Sequence, residues 1–510
     1  MSDEQGRPGS SPRDATSPDV VMPVQGQSGE LVGRATRSFL WATASFVGSR
    51  LISFLAVVLL ARILVPDDFG VVAAAMTVFL FIEFALDLGM GAALIFEQER
   101  GITDRVHTAF TLNLMVAIAM AAGFFFAAPW IADFFRVPDQ VQIFRTLSLL
   151  IVVKGLSQIP DSLFKRDLEF KRRTAVDVSR AGVRLAVAVA LAMADFGAWS
   201  IVWGTLAGEC VGVVLSWALL GFSPRFVFQR RVARELLGFG MTVLGYRALE
   251  VFATNADYLV VGNQLGPRML SFYYFAFRLP QLVIGNVYNV FSQVAFPTYS
   301  QARERGSATL ERGMLRSLKL LALFGFTTGT GLALASRDLV DVMLPPDWAP
   351  AALPMALIAL TFGLQSVGFA SGDIFPAIGK PGFLLKMNLV ASPILVVALI
   401  LAAPRGINAV AAVHLVLTGI YSAVRLVFAV RLVQSPLSRS LVAMWPALVI
   451  SIGIVVGALP VLLLFPPGAL SLVVIVAAGL AGAYVAGVLF TRSVFSDAGE
   501  LLGRALRSNG

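Results

Sequence analysis

Apolar stretches of about twenty residues, the length an α-helix needs to cross a hydrocarbon layer, recur along the chain with short polar segments between them. Their limits are 38–64, 69–95, 106–130, 141–160, 174–194, 197–220, 238–263, 270–297, 315–335, 351–372, 382–402, 407–432, 441–464 and 468–490. The pattern predicts an all-α integral membrane protein of about 14 transmembrane helices. It divides into two six-helix lobes in a pseudo-symmetric repeat, 38–224 and 238–432, and an extra helix pair, 441–490.

The repeat is visible in two copies of one plan. Phe39 to Gly70 (FLWATASFVGSRLISFLAVVLLARILVPDDFG) carries Arg50 in its apolar middle and ends in a Pro-Asp-Asp-Phe-Gly turn. Phe239 to Tyr273 places Arg247 where the first copy has Arg50, and Leu265-Gly266-Pro267 where it has the turn. Arginines at matching depth in two halves of one chain point to a pathway lined by both. Between the lobes, 225–237 (RFVFQRRVARELL) alternates basic and apolar residues at helical spacing, which predicts an amphipathic linker helix at the membrane interface. Gly204, Gly208 and Gly212 form a small-residue stripe that lets another helix approach. Residues 1–37, rich in Ser, Pro and Gly, are expected to be a disordered tail, and 491–510 a second tail. No short apolar core lies near Met1, so the start does not read as a signal peptide.

Composition agrees with a membrane solvent. The chain has 510 residues, 57% hydrophobic and 14% charged, with a mean hydropathy of +0.79. A net charge of +9 invites a nucleic-acid reading, but the cations lie in short loops and not in a basic-aromatic module, so no nucleic-acid partner is expected. Lys165, Arg166, Lys171, Arg172 and Arg173 fall between spans four and five. Arg225, Arg230, Arg231 and Arg234 fall between six and seven, and Arg303, Arg305, Arg312 and Arg316 between eight and nine. Loops on the other side, such as Asp195-Phe196-Gly197, are short and poor in cations. The positive-inside rule then puts both termini in the cytoplasm. The one cysteine, Cys210, allows no intramolecular disulfide, and His107 and His414 lie too far apart in sequence to suggest a metal site.

A charge at bilayer depth costs ~2.5 to 3.5 kcal/mol on insertion scales, so such residues must face protein, water or a ligand. Span seven aligns Arg247, Glu250, Thr254 and Asp257 on one face. Span eight aligns Arg278, Gln281, Gly285, Tyr288 and Ser292, with Asn289 and Gln293 beside them. In the first lobe Arg50 and Ser53 share a face, as do Glu83 and Asp87. Two polar stripes on adjacent helices predict a wet cavity between the lobes. The arginines Arg50, Arg247 and Arg278 suit a phosphate or diphosphate, because guanidinium stays charged and binds oxygen pairs as a fork. Gln281, Tyr288 and Asn289 would suit sugar. Glu83, Asp87, Glu250 and Asp257 are candidates for ion pairing or for coupling. The alternative is that the charges only pair structurally, Arg247 with Glu250 and Arg50 with Asp87. Arg184 is expected to snorkel to the surface. Glu209 reads equally as a coupling carboxylate or a structural hydrogen-bond partner, and His414 and Asn388 read as helix-to-helix hydrogen bonds.

The order of short motifs resembles the polysaccharide exporters of the MOP superfamily, the Wzx-like flippases of O-antigen and exopolysaccharide repeat units. They are Leu60-Ala61-Arg62-Ile63-Leu64-Val65-Pro66-Asp67-Asp68-Phe69-Gly70, Asp87-Leu88-Gly89-Met90-Gly91, Phe164-Lys165-Arg166-Asp167-Leu168-Glu169-Phe170-Lys171, Gly197-Ala198-Trp199-Ser200, Asn255-Ala256-Asp257-Tyr258-Leu259-Val260-Val261-Gly262 and Phe296-Pro297. The resemblance implies a two-lobe alternating-access carrier in a bacterial inner membrane, which turns an undecaprenyl-diphosphate-linked oligosaccharide from the cytoplasmic to the periplasmic leaflet. It implies no catalytic residue, metal or organic cofactor, coupling to Na+ or H+ with Asp257 the first residue to test, and pathway partners such as a polymerase and glycosyltransferases. Two alternatives stand beside it. A membrane glycosyltransferase or ligase would place acids in its first outer loop, as Asp67-Asp68 are, but these belong to a tight turn and the outer loops are too short for a catalytic site. A MATE-like exporter of small molecules should favour cations through a net acidic cavity, whereas this one balances arginines against carboxylates.

Overall fold

A computed structural model describes residues 48–87 and 102–490 except 168, 222 and 224; within helices, the side chains of 84–85, 87, 102–104, 165, 170, 236–251, 253, 289 and 381 lie outside that description. The expected tails, 1–37 and 491–510, also lie outside it. Among the described residues there is no strand. The helices are α1 (48–63), α2 (Pro66–Asp87), α3 (Ile102–Phe134), α4 (Val141–Arg166), α5 (Phe170–Met193) and α6 (Ala198–Leu220) in the first lobe. The second lobe holds α7 (Arg230–Leu265), α8, α9 (Ser307–Met343), α10 (Ala352–Gly372), α11 (Pro381–Ala402) and α12 (Ile407–Val433). The final pair is α13 (Leu437–Leu464) and α14 (Ala469–Phe490). Helix α8 has two α-helical parts, Pro267–Pro280 and Asn286–Glu304, joined by a π-helical turn, Gln281–Gly285. Each apolar stretch read from the sequence thus has its helix.

Nine of these helices, α3, α4, α6 and α9 to α14, are long and apolar enough to cross a membrane by length and composition alone. The chain is a multi-pass membrane protein. The remaining five are described only in part (α1), carry more charge, or are broken by the π turn. Inward charge comes from both groups, from Lys154 of α4 and Glu209 of α6 as well as from Arg184 of α5 and Arg278 of α8.

Close helix approach is built from glycine. On α6, an added Cβ at Gly204 would come within 2.6 Å of the Ala188 methyl, and at Gly208 within 2.6 Å of the Arg180 carbonyl oxygen. The stripe therefore seats α5 on α6. In the final pair, Gly453 and Gly457 of α13 meet Gly482 and Ala478 of α14 backbone to backbone, and α13 packs along α9. The outer faces of the pair present Leu463, Leu470, Val473 and Leu480, the surface expected against lipid.

The linker differs from the sequence expectation. Residues 225–229 are not helical, and Arg230 opens a helix that runs unbroken to Leu265, so 230–237 is not a separate interfacial helix. Its first turns dock on the first lobe, with Val232 and Ala233 in one apolar cluster with Val106, Phe110 and Ile159. Glu235 also pairs with Arg105 at 3.0 Å. A helix pinned by its own apolar residues to the first lobe has no reason to lie flat as an independent element.

The lobes meet tightly at the end opposite the basic loops. An added Cβ at Gly70 would lie 2.0 Å from the Pro267 carbonyl oxygen, so only glycine allows α2 to touch the start of α8. Gly266, at φ 82, turns the chain from α7 into Pro267 at the first position of α8. Arg62 donates from Nε and Nη2 to the carbonyl oxygens of Met343 and Val342, at 2.8 and 2.6 Å. These carbonyls end α9 and would otherwise lack partners at the negative end of its dipole. Asn263 donates to the Phe134 carbonyl at 2.8 Å. Trp348 stands among Phe69 of the first lobe and Phe272 and Phe275 of the second, with centroids 5.4 to 5.7 Å apart.

Candidate functional site

Charged and polar side chains of α1, α5 and α8 come within electrostatic reach of one another across the lobe boundary. By helical rise, Arg50 sits about 20 Å and Arg278 about 16 Å from the closed end. The exposed Arg50 lies within electrostatic reach of Arg278, Tyr274 and Asp177. Arg278 donates to the Tyr274 hydroxyl, and its guanidinium lies over that ring, 4.8 Å from the centroid. Gln281, next along α8, is exposed. Two like charges in reach of each other across a lobe boundary repel, and Asp177 offsets part of that repulsion at Arg50.

A larger ion network fills the first lobe behind Arg50. Glu209 of α6, 2% exposed, receives Arg184 Nη2 at 2.6 Å, Lys154 Nζ at 3.3 Å and Arg180 Nε at 3.3 Å. Lys154 also reaches Glu83 at 3.1 Å, and Arg180 reaches Asp161 at 3.4 Å and Asp177 at 3.9 Å. Gly212 makes room for the Arg180 guanidinium, since a Cβ there would lie 2.3 Å from Nε. Arg173, Asp177, Arg180 and Arg184 share one face of α5, where the sequence reading placed only a snorkelling Arg184. That expectation is corrected: Arg184 lies in mid-helix and its partner is Glu209, the acid that showed no partner in sequence.

The second lobe buries a neutralisable cluster. Asp257 of α7 is 2% exposed. Its Oδ2 accepts a hydrogen bond from the Tyr273 hydroxyl at 3.0 Å and lies 3.3 Å from His414 Nδ1 of α12. The Tyr273 hydroxyl also lies 3.5 Å from that nitrogen. Tyr258 stacks edge-on against Tyr273 and is tilted against Tyr274, each at 5.8 Å, linking the cluster to the side chain that holds Arg278. Nearer the basic end, Asp373 lies within electrostatic reach of Ser292 and Arg425.

Of the residues singled out from sequence, Arg50 and Arg278 come within electrostatic reach of each other. Glu83 pairs with Lys154. Asp257 does not continue the exposed line of α7, since Thr254 is exposed and Asp257 is turned into the second lobe. Tyr288 is also turned inward: it is 0% exposed and donates to the Phe362 carbonyl at 2.8 Å, in a notch left by Gly325. The cause is the π turn. One extra residue per turn advances everything after it by about 100°, so the stripe that begins at Arg278 cannot continue to Tyr288. The side chains of Arg247, Glu250, Asp87 and Asn289 lie outside the described residues.

A family model described as polysaccharide biosynthesis protein matches residues 59–353, more than half of the chain. The chain belongs to the polysaccharide biosynthesis protein family. It is 30% identical over 334 residues to the succinoglycan biosynthesis transport protein ExoT of Rhizobium meliloti, covering 64% of this chain and 66% of that one. It is 24% identical over 304 residues to the teichuronic acid biosynthesis protein TuaB of Bacillus subtilis, covering 59% and 62%. With the lipopolysaccharide biosynthesis protein WzxC of Escherichia coli the figures are 21% over 366 residues, 71% and 73%. The chain thus spans just under two thirds of the length of the first two relatives. Among solved structures, this family member superposes on the lipid II flippase MurJ in an inward closed conformation with a TM-score of 0.70 at 15% identity, covering 90% of this chain and all of that one. A MATE family transporter of the MOP superfamily matches at 0.64 and 15% identity in its inward-facing conformation, over 76% of this chain and 94% of that one. An outward-facing conformation matches at 0.52 and 13%, over 79% and 95%. The family member therefore has the two-lobe MOP fold.

Proposed function

We propose that this protein moves a lipid-linked oligosaccharide, carried on a polyprenyl diphosphate such as undecaprenyl diphosphate, from the cytoplasmic to the periplasmic leaflet of a bacterial inner membrane by alternating access. The observation that carries the reading is that Arg50 and Arg278, one from each lobe, lie within electrostatic reach of each other, beside a lobe boundary sealed at the opposite end. A diphosphate between two guanidiniums would satisfy both and tie the lobes together; releasing it would let them separate. The better superposition on the inward-facing transporter supports a state open toward the basic loops. Those loops would lie in the cytoplasm with both termini. The repeat unit would feed exopolysaccharide, capsule or O-antigen synthesis, in line with the relatives' names. The protein would act as a carrier and not an enzyme, handing its cargo to polymerase and glycosyltransferases of the pathway.

Coupling would run through the Asp257, Tyr273 and His414 cluster. It offers a carboxylate and an imidazole that can share a proton, whereas Na+ would prefer a cage of oxygens. Transport that follows a pH gradient and ignores a Na+ gradient is the expected result, and dependence on Na+ alone would reverse the choice.

The test of function is deletion of the gene followed by analysis of lipid-linked intermediates. Accumulation on the cytoplasmic leaflet, relieved by wild-type protein but not by Arg50→Ala or Arg278→Ala present at equal membrane levels, is expected. Full relief by both variants would remove the site proposal. Uptake of fluorescent cations by proteoliposomes would instead favour the MATE-like reading.

A further inference from the structure

Among the described residues, three cations converge on Glu209, and they are not equivalent. Lys154 has a second acid in Glu83, and Arg180 has Asp161 and Asp177. Arg184 pairs with no other carboxylate among the described residues. Its Nε is buried without a hydrogen-bond partner there, while the side chain as a whole is 34% exposed. Nη2 is therefore held by Glu209, Nε is enclosed, and the exposed part of the side chain lies elsewhere on it.

Depth adds a second argument. Counted from the closed end at 1.5 Å per residue, Arg184 sits about 15 Å down α5 and Arg278 about 16 Å down α8, with Arg50 a few ångströms farther. The face of α5 that bears Arg184 also bears Asp177, which lies within electrostatic reach of Arg50. Three guanidiniums from α1, α5 and α8 thus occupy one layer of the membrane.

We propose that Arg184 is a further binding residue for the anionic head group, held in reserve by Glu209 and released to it by exchange. This deepens the flippase reading and rests on it. When a diphosphate oxygen takes the place of the Glu209 oxygen on Arg184, Glu209 keeps Lys154 and Arg180, so no charge is left buried alone. The exchange breaks one charge-assisted pair and makes another, and no bond or proton changes hands. Glu209 then acts as an internal competitor. In the empty carrier it neutralises Arg184, and it sets how strongly charged a ligand must be to displace it. A diphosphate, which has more charge and more anionic oxygens than a monophosphate, competes better than it does, and an uncharged lipid not at all.

The exchange predicts opposite effects from the two partners. The probe is farnesyl diphosphate, with farnesyl monophosphate as control, bound to full-length protein in nanodiscs. Arg184→Ala should weaken farnesyl diphosphate about tenfold or more, whereas Glu209→Gln should tighten it severalfold by removing the competitor. A network that is only structural would give weaker or unchanged binding in both. Should Glu209→Gln fail to fold, Arg184→Lys carries the test. Lysine restores an ion pair to Glu209 but not the fork, so binding should remain severalfold weaker than wild type; full restoration would overturn the proposal. Wild-type binding with equal affinity in Arg184→Ala would sink this inference while leaving Arg50 and Arg278 in place. No farnesyl diphosphate binding by the wild type would sink the flippase reading together with it.

Discussion

Single residues in this protein are legible only with their partners. Arg50 and Arg278 stand out in sequence because a guanidinium in an apolar run is costly, and the fold brings them within electrostatic reach of each other. Glu209 and Arg184 were visible too, but a pair that joins α5 to α6 across a glycine stripe leaves no local spacing to read. The signal that would have found it is the face of α5 on which Arg173, Asp177, Arg180 and Arg184 recur. The surface gives a simpler case in Glu311 at the start of α9. Hydrogen bonds from Ser435 and then Arg439 hold its carboxyl below the usual range. A carboxyl lowered by folding contributes stability above its unfolded pKa of about 4.3 and loses it as pH falls through the lowered value. Glu311→Gln should therefore lower the thermal midpoint slightly at pH 7, and its melting curve should rejoin that of the wild type well below pH 4.

At the scale of elements, helix existence was legible throughout and helix phase was not. Each apolar stretch became a helix because backbone groups in a bilayer must be paired within the segment. The positions inside a helix follow the 3.6 repeat only while it is unbroken, and the Gln281–Gly285 turn moves Tyr288 from the expected site into the second lobe's core. The linker at 225–237 was misread for a related reason: an amphipathic pattern fits an interface with lipid and an interface with protein equally well, and here Val232 and Ala233 pack on protein. The start of α2 gives an element-scale prediction. Because Gly70 touches the Pro267 carbonyl, Gly70→Val should prevent full closure there. Asp67 and Arg268, 3.9 Å apart, mark the seam. With Cys210→Ser to clear the background, Asp67→Cys and Arg268→Cys should be joined readily by a short bifunctional thiol cross-linker, and markedly more slowly once Gly70→Val is added. Equal rates would mean that the contact does not govern closure.

At the scale of the whole molecule, apolar spans form the lipid-facing pair and much of both lobes. Helices α1 and α8 bring Arg50 and Arg278 within electrostatic reach across the lobe boundary, and α2, α4, α5 and α6 share the ion network of the first lobe. One end is closed by Arg62, Gly70 and Trp348, and the proposed site puts Arg50 and Arg278 on one cargo away from that end. The most direct test is a double-mutant cycle on translocation of lipid-linked oligosaccharide in inverted membrane vesicles, with Arg50→Ala, Arg278→Ala and the pair. If both hold one diphosphate, each single change should cut the rate at least tenfold and the double variant should be little worse than either. Losses that multiply independently, or single variants that translocate at the wild-type rate, would contradict a shared site.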